Sequence, residues 1–120
     1  MTAQAAYLSG GRLHLSHGPI DLIIGADGAR DVAFQAAFDR FSTVLSELTA
    51  ELPLLRRPVD SKPKGKIARA MYRAALPYAD GLTTPMICVA GAVAAEVLSA
   101  MVDASNLTRA YVNNGGDIAL

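Results

Sequence analysis

From Pro85 to Val102 the chain is apolar or small at every position except Glu96 and Ser99. A helix on a protein surface carries an apolar stripe on one side only, so a helix apolar nearly all round has to be covered. The run is long enough to invite a membrane reading. Glu96 near its middle would be costly in hydrocarbon, and the segment reads as the buried helix of a soluble fold. Thr83-Thr84-Pro85 marks its start, with a hydroxyl at the N-cap and proline at the first helical position, where its missing N–H costs nothing. Ala90, Gly91, Ala92, Ala94 and Ala95 let another backbone or a flat ligand come close. Glu96, Ser99 and Asp103, at steps of three and four, are expected to form its narrow solvent-facing line.

The rest of the chain must supply the cover. Its 120 residues give one domain of ordinary size. With 52% hydrophobic and 18% charged residues, the composition argues against disorder. Phe34, Phe38, Phe41, Leu45, Leu48 and Leu52 recur at steps of four and three and predict one long helix, ended by Pro53. All three phenylalanines lie on that stripe, which makes them core rather than a stacking box for a cofactor. A second amphipathic helix follows from Ile67, Met71, Ala74 and Tyr78. Strand-like runs lie at Ala5–Leu8 and Arg12–Leu15, joined by Ser9-Gly10-Gly11, and at Ile20–Gly25, which is rich in β-branched residues. Ala26-Asp27-Gly28 then reads as a turn, with Asp27 as N-cap of the first helix. The expected fold is α+β, an antiparallel or mixed sheet with three helices. Apolar surplus in so small a chain, which stops on an apolar strand, predicts a further layer: a homo-oligomeric partner or more of the same polypeptide.

Eleven basic residues balance eleven acidic ones, so no global field draws the protein to nucleic acid or an anionic membrane. The single Cys88 cannot form an internal disulfide and fits a reducing compartment. Met1 to Leu15 lacks the continuous apolar core of a signal peptide, so a cytoplasmic location is expected. His14 and His17 have no partner at a metal-ligand spacing. Asp21, inside the Ile20–Gly25 run, either faces solvent or is aimed at a pocket. No P-loop, dinucleotide fingerprint or nucleophile elbow is present. The one charged concentration is Leu54 to Lys66, where Arg56, Arg57, Lys62, Lys64 and Lys66 face a single acid, Asp60. Such a loop is either solvated surface or a holder of nucleotide phosphates.

At the C-terminus, Ala110–Val112 and Ile118–Leu120 flank Asn113-Asn114-Gly115-Gly116-Asp117, which reads as strand, tight turn, strand. Asn and Gly accept the left-handed backbone such a turn needs. The glycines leave amides bare for a ligand, and Asp117 adds a carboxylate. The free amides at the Thr83-Thr84 helix start make a second anion seat, although capping explains the threonines equally well.

Ser16-His17-Gly18-Pro19-Ile20-Asp21, Thr84-Pro85-Met86, Val89-Ala90-Gly91-Ala92-Val93-Ala94 and Val112–Ile118, taken together and in order, resemble the uncharacterised, cytoplasmic branch of the ApbE-like family. That superfamily is named for flavin transferases that take FAD and, with magnesium, attach FMN to a threonine of a target protein. The resemblance implies that Gly115, Gly116 and Asp117 line a flavin-nucleotide cleft. Asn113 and Asn114 lie beside them, and Thr83, Thr84 and Gly91 lie across from them on the helix. It covers most of the chain, and Asn113–Asp117 with its flanks is its most specific part. Members with transferase activity carry a lysine where this chain has Ala90. The family's magnesium-binding Asp and Thr belong to a C-terminal half without counterpart before Leu120. The resemblance therefore implies an N-terminal portion, residues 1–120, of a longer fold that binds FAD or FMN. Most magnesium ligands, and any target protein, would lie outside it. Two other readings stand beside this one: a non-catalytic module for a different small molecule, and a structural or oligomerisation unit.

Overall fold

In a computed structural model, which describes residues 2–120, one five-stranded sheet is covered on a single face by helices, so the fold is α+β. The strands are β1 (Gln4–Leu8), β2 (Arg12–His17), β3 (Ile20–Gly28), β4 (Leu107–Asn114) and β5 (Asp117–Ala119). Spatial order follows chain order and every neighbouring pair is antiparallel. Between β3 and β4 the chain makes α1 (Arg30–Phe41), α2 (Val44–Ala50), α3 (Leu52–Leu55), α4 (Lys66–Ala75) and α5 (Val89–Ala104).

Two-residue alternation decides which sheet face is covered. Leu13 and Leu15 of β2, Leu22, Ile24 and Ala26 of β3, and Val112 of β4 point at the helices and are buried. They meet Phe34 and Phe41 of α1, Val44 of α2, Met71 of α4, and Val93, Val97 and Met101 of α5 in one core. Arg12, His14, Ser16, Asp21 and Asn113 carry the opposite parity and leave the other sheet face open. Asp21 is on that open face, its carboxylate 2.8 Å from Nε2 of His14.

Four expectations need correction. The long aromatic helix is three helices, broken at Ser42-Thr43 and again at Glu51; at the first break the Ser42 hydroxyl donates to the Asp39 carbonyl at 2.7 Å. Short hydroxyl side chains compete with the helical ladder in this way. The stripe still faces inward, with Phe34, Phe41 and Leu48 buried and Phe38, Leu45 and Leu52 half-buried. Pro53 sits in the first turn of α3 instead of closing a helix, a position that exploits the same missing N–H.

Ala26-Asp27-Gly28 is not a turn. β3 runs through it, pairing Ala26 with Ala110 and Asp27 with Arg109, and it ends in a register shift at Asp27/Gly28. Ala29, with no side-chain cap, starts α1. Long-range pairing therefore outweighed the local turn signal. In the second amphipathic helix the buried residues are Ile67, Ala68, Met71 and Ala75, while Ala74 and Tyr78 are exposed. A short turn of 3-10 helix, Leu76–Tyr78, carries Pro77 and diverts the chain after Ala75.

The apolar helix is the fourth correction. Pro85–Ala104 is long and apolar enough to cross a membrane by composition, yet only 28% of its most apolar stretch is buried. Val93, Ala94, Val97 and Met101 pack inward, whereas Gly91, Ala95, Ser99 and Val102 are exposed. Glu96 is not on the solvent line. Its side chain is 14% exposed and bonded to Arg40.

Candidate functional site

The terminal hairpin forms as its residues predict. Val112 pairs with Ala119, Asn113 with Ile118 and Asn114 with Asp117, which leaves Gly115-Gly116 as a two-residue turn. Their φ angles of 60° and 103° are left-handed, the conformation a tight hairpin needs and glycine supplies without strain. A Cβ at either position would meet nothing within 4 Å, so the tip is bare. One of its amides is already used, since Gly116 N–H donates to the Asn113 side-chain oxygen at 2.9 Å.

Asn114 has the other parity and turns under the sheet toward the helices. Its side-chain amide donates to the Ala90 carbonyl at 3.2 Å, which ties the hairpin to the first turn of α5. Beside that bond lies a groove of about 340 Å³. Ile20, Leu48, Leu52, Met86, Val89 and Val93 give it an apolar wall, and Asn114, Thr49 and Arg56 supply polar groups. Mostly apolar walls with a few convergent polar atoms are the usual form of a small-molecule site, and this volume is at the small end of the range. Sequence periodicity gave no sign of the groove, because its walls come from four separate stretches of the chain. The available hint was the excess of leucine on the aromatic stripe: Leu45 and Leu52 are half-buried because the break at Ser42-Thr43 turns α2 and α3 along the groove.

The basic loop does not gather its charge at this site. Only Arg56 lines the groove. Arg57 is 4.0 Å from Asp60, and Lys66 is 3.4 Å from Glu96. The Glu51 carboxylate accepts the amides of Lys64 at 2.6 Å and Gly65 at 2.8 Å, which fixes the end of the loop where α4 begins. Val59 N–H donates to the Thr83 carbonyl at 2.9 Å and ties the loop's middle to the approach to α5.

Thr83 and Thr84 are half-buried and outside the groove lining. A short 3-10 turn, Pro85–Cys88, separates them from α5, and neither hydroxyl caps it. Asp80 is already at the Thr83 amide, accepting from Thr83 N–H at 2.7 Å and from Leu82 N–H at 2.9 Å. Those bonds, Thr83's foremost, hold the Asp80 carboxyl below its ordinary range. Gly91 faces open space on the outer side of α5. Of the residues singled out in the sequence, only Asn114 lines the groove; Asn113 has the opposite parity and faces the open side of the sheet, and Gly115, Gly116 and Asp117 belong to the exposed hairpin tip. Thr83, Thr84 and Gly91 are not in its lining.

Magnesium does not fit the residues present. A hard cation takes about six oxygen ligands, the groove lining contains no carboxylate, and Asp117 at the turn stands alone. Among the described residues no three His, Cys, Asp or Glu side chains come together. His17 is 7% exposed, set edge-on to Phe41 with ring centroids 6.2 Å apart, and its Nδ1 has no partner among the described residues.

A family model described as AbpE bacteria aligns with residues 5–120. No curated protein and no solved structure matches the chain.

Proposed function

The chain belongs to the family described as AbpE bacteria, and from that premise we propose that it is a flavin-nucleotide-binding protein of the ApbE-like type. The observation that carries this reading is the Asn114–Ala90 bond, which sets a bare glycine hairpin against the first turn of α5 at the mouth of an apolar groove. An isoalloxazine ring is flat and largely apolar, with one edge of alternating acceptors and an N–H. The groove wall suits its faces, and the amide of Asn114 suits that edge. Arg56, the one cation in the groove lining, would receive phosphate.

Binding is favoured over catalysis. Ala90 stands where transferase members of the resembling family carry lysine, and no magnesium site is formed by these residues.

Titration of FAD and FMN into the purified protein, followed by flavin fluorescence, tests the reading. Quenching that saturates, and that weakens about tenfold in Asn114→Ala, is expected, equivalent to about 1.4 kcal/mol. Unchanged fluorescence at roughly 100 μM protein, weaker than typical cofactor sites by a wide margin, would sink it. A second reading, an assembly unit, is favoured by the exposed apolar side chains Ile87, Val102, Ile118 and Leu120.

A further inference from the structure

Three arginines converge at the other end of the sheet, on its open face. The β3–β4 register sets Gly25 opposite Tyr111 and Asp27 opposite Arg109. Arg12 leads into β2 from the Gly10-Gly11 turn, and Arg30 reaches over from the start of α1. Together they line a depression of about 180 Å³, which also takes in Gly10, Gly11 and Tyr111.

Each arginine is held by its stem or has its head free. Arg12 Nε donates to the Ser9 carbonyl at 3.1 Å, and Arg30 Nε donates to the Ala26 carbonyl at 2.9 Å. The terminal nitrogens of Arg30 lie over Gly11, where a Cβ would come within 2.4 Å of Nη1. Tyr111 lays its phenol end over Gly25, where a Cβ would be 2.3 Å from the ring. Both glycines keep the floor of the depression open to these side chains.

The charge is unbalanced. Arg12, Arg30 and Arg109 bring three positive charges against the single Asp27, a local net of +2, in a chain whose totals cancel. Asp27 is a loose partner, 3.6 Å from Arg30 Nη2. Among the described residues neither Arg12 nor Arg109 forms an ion pair, whereas Arg40 has two carboxylates. Three guanidinium groups packed together with so little compensation repel one another, and a bound dianion would remove that repulsion. Guanidinium forks match phosphate oxygens two at a time.

We propose that this depression is a binding site for a phosphoryl dianion, either free phosphate or the phosphate of a small monoester. It is separate from the flavin groove. Arg109 and Asn114 are five positions apart on β4, hence on opposite sheet faces and roughly 17 Å apart.

Calorimetric titration of the full chain with inorganic phosphate and with phenyl phosphate, at low salt, tests the site. Binding near ~1 mM or tighter is expected, weakening at least ~10-fold in Arg12→Ala/Arg109→Ala and only ~3-fold in the Arg12→Lys/Arg109→Lys pair. Both residues are away from the core, and unchanged circular dichroism would show that the variants fold. Phenyl phosphate binding several-fold tighter than phosphate identifies an organic monoester, while equal affinity identifies free phosphate. Phosphate binding that survives intact in the double alanine variant, or no heat up to ~20 mM phosphate, overturns the proposal. Arginine-dependent phosphate binding in a protein that ignores flavin would leave this site standing and remove only the groove reading.

Discussion

Gly28 shows how one residue fixes the join between the first strands and the helices. Its φ is 116°, and a Cβ there would come 2.6 Å from the Asn106 carbonyl oxygen and 3.0 Å from Leu107 Cα. The adjacent Ala29 N–H donates to the same carbonyl at 3.0 Å, so the backbone cannot back away. Gly28→Ala is expected to destabilise the fold by about 1–3 kcal/mol, the range for a forced left-handed residue, with the clash added. Urea unfolding would measure it, and an unchanged midpoint would contradict the geometry. Composition alone could mark Gly28 as a turn glycine. Its true demand came from a residue seventy-eight positions later, Asn106, which no local pattern reveals.

At the scale of elements, four helices are joined by one ionic network. Arg40 at the end of α1 forks onto Glu47 of α2, at 2.5 and 3.0 Å, and reaches Glu96 of α5 at 2.9 Å. Glu96 also faces Lys66 at the start of α4, 3.4 Å away. The bond to Arg40 holds the Glu47 carboxyl below its ordinary value of 4.5, against the opposing effect of burial. A folded-state pKa below the unfolded one stabilises the protein fully above about pH 4.5. That contribution is lost as the pH falls from there through the lowered folded value. Glu47→Gln is therefore expected to lower stability at pH 7 by about 1 kcal/mol, since the pair is partly screened by solvent, and to flatten the acid limb of a melting-temperature profile. Parallel acid limbs for the two proteins would refute this. Sequence placed Glu96 on a solvent line because helical spacing cannot see Arg40, fifty-six residues earlier. The elements themselves were easier to read. The strands at Ala5–Leu8, Arg12–Leu15 and Ile20–Gly25 and the Asn-Asn-Gly-Gly-Asp hairpin formed as expected, since they depend on residues a few positions apart.

For the whole molecule, the open question of cover becomes a surface. One sheet face has no helices on it, and the outer side of α5 continues through Val102 toward Leu120, with 55% and 90% exposure at those two residues. Leu98, Val102, Leu107, Ala110 and Leu120 edge a shallow depression there. Apolar area of this kind usually marks an interaction site, in keeping with the proposed homo-oligomer. Light scattering coupled to sizing is expected to give a mass above the monomer's 12.5 kDa. Val102→Asp/Leu120→Asp should shift it to the monomer with little change in folding, because both positions are exposed. A wild-type monomer at ~100 μM, well above the dissociation constants of stable assemblies, would remove the assembly reading.

Sequence by itself determined the α+β class, the glycine hairpin and the inward side of the aromatic stripe, all properties set by residues a few positions apart. Tertiary structure alone decided that Glu96 meets Arg40, that Asn114 meets Ala90, and that Arg12, Arg30 and Arg109 share one depression. Those outcomes depend on which distant segments the antiparallel register brings side by side, and charge or periodicity in one segment carries no record of its neighbour in space.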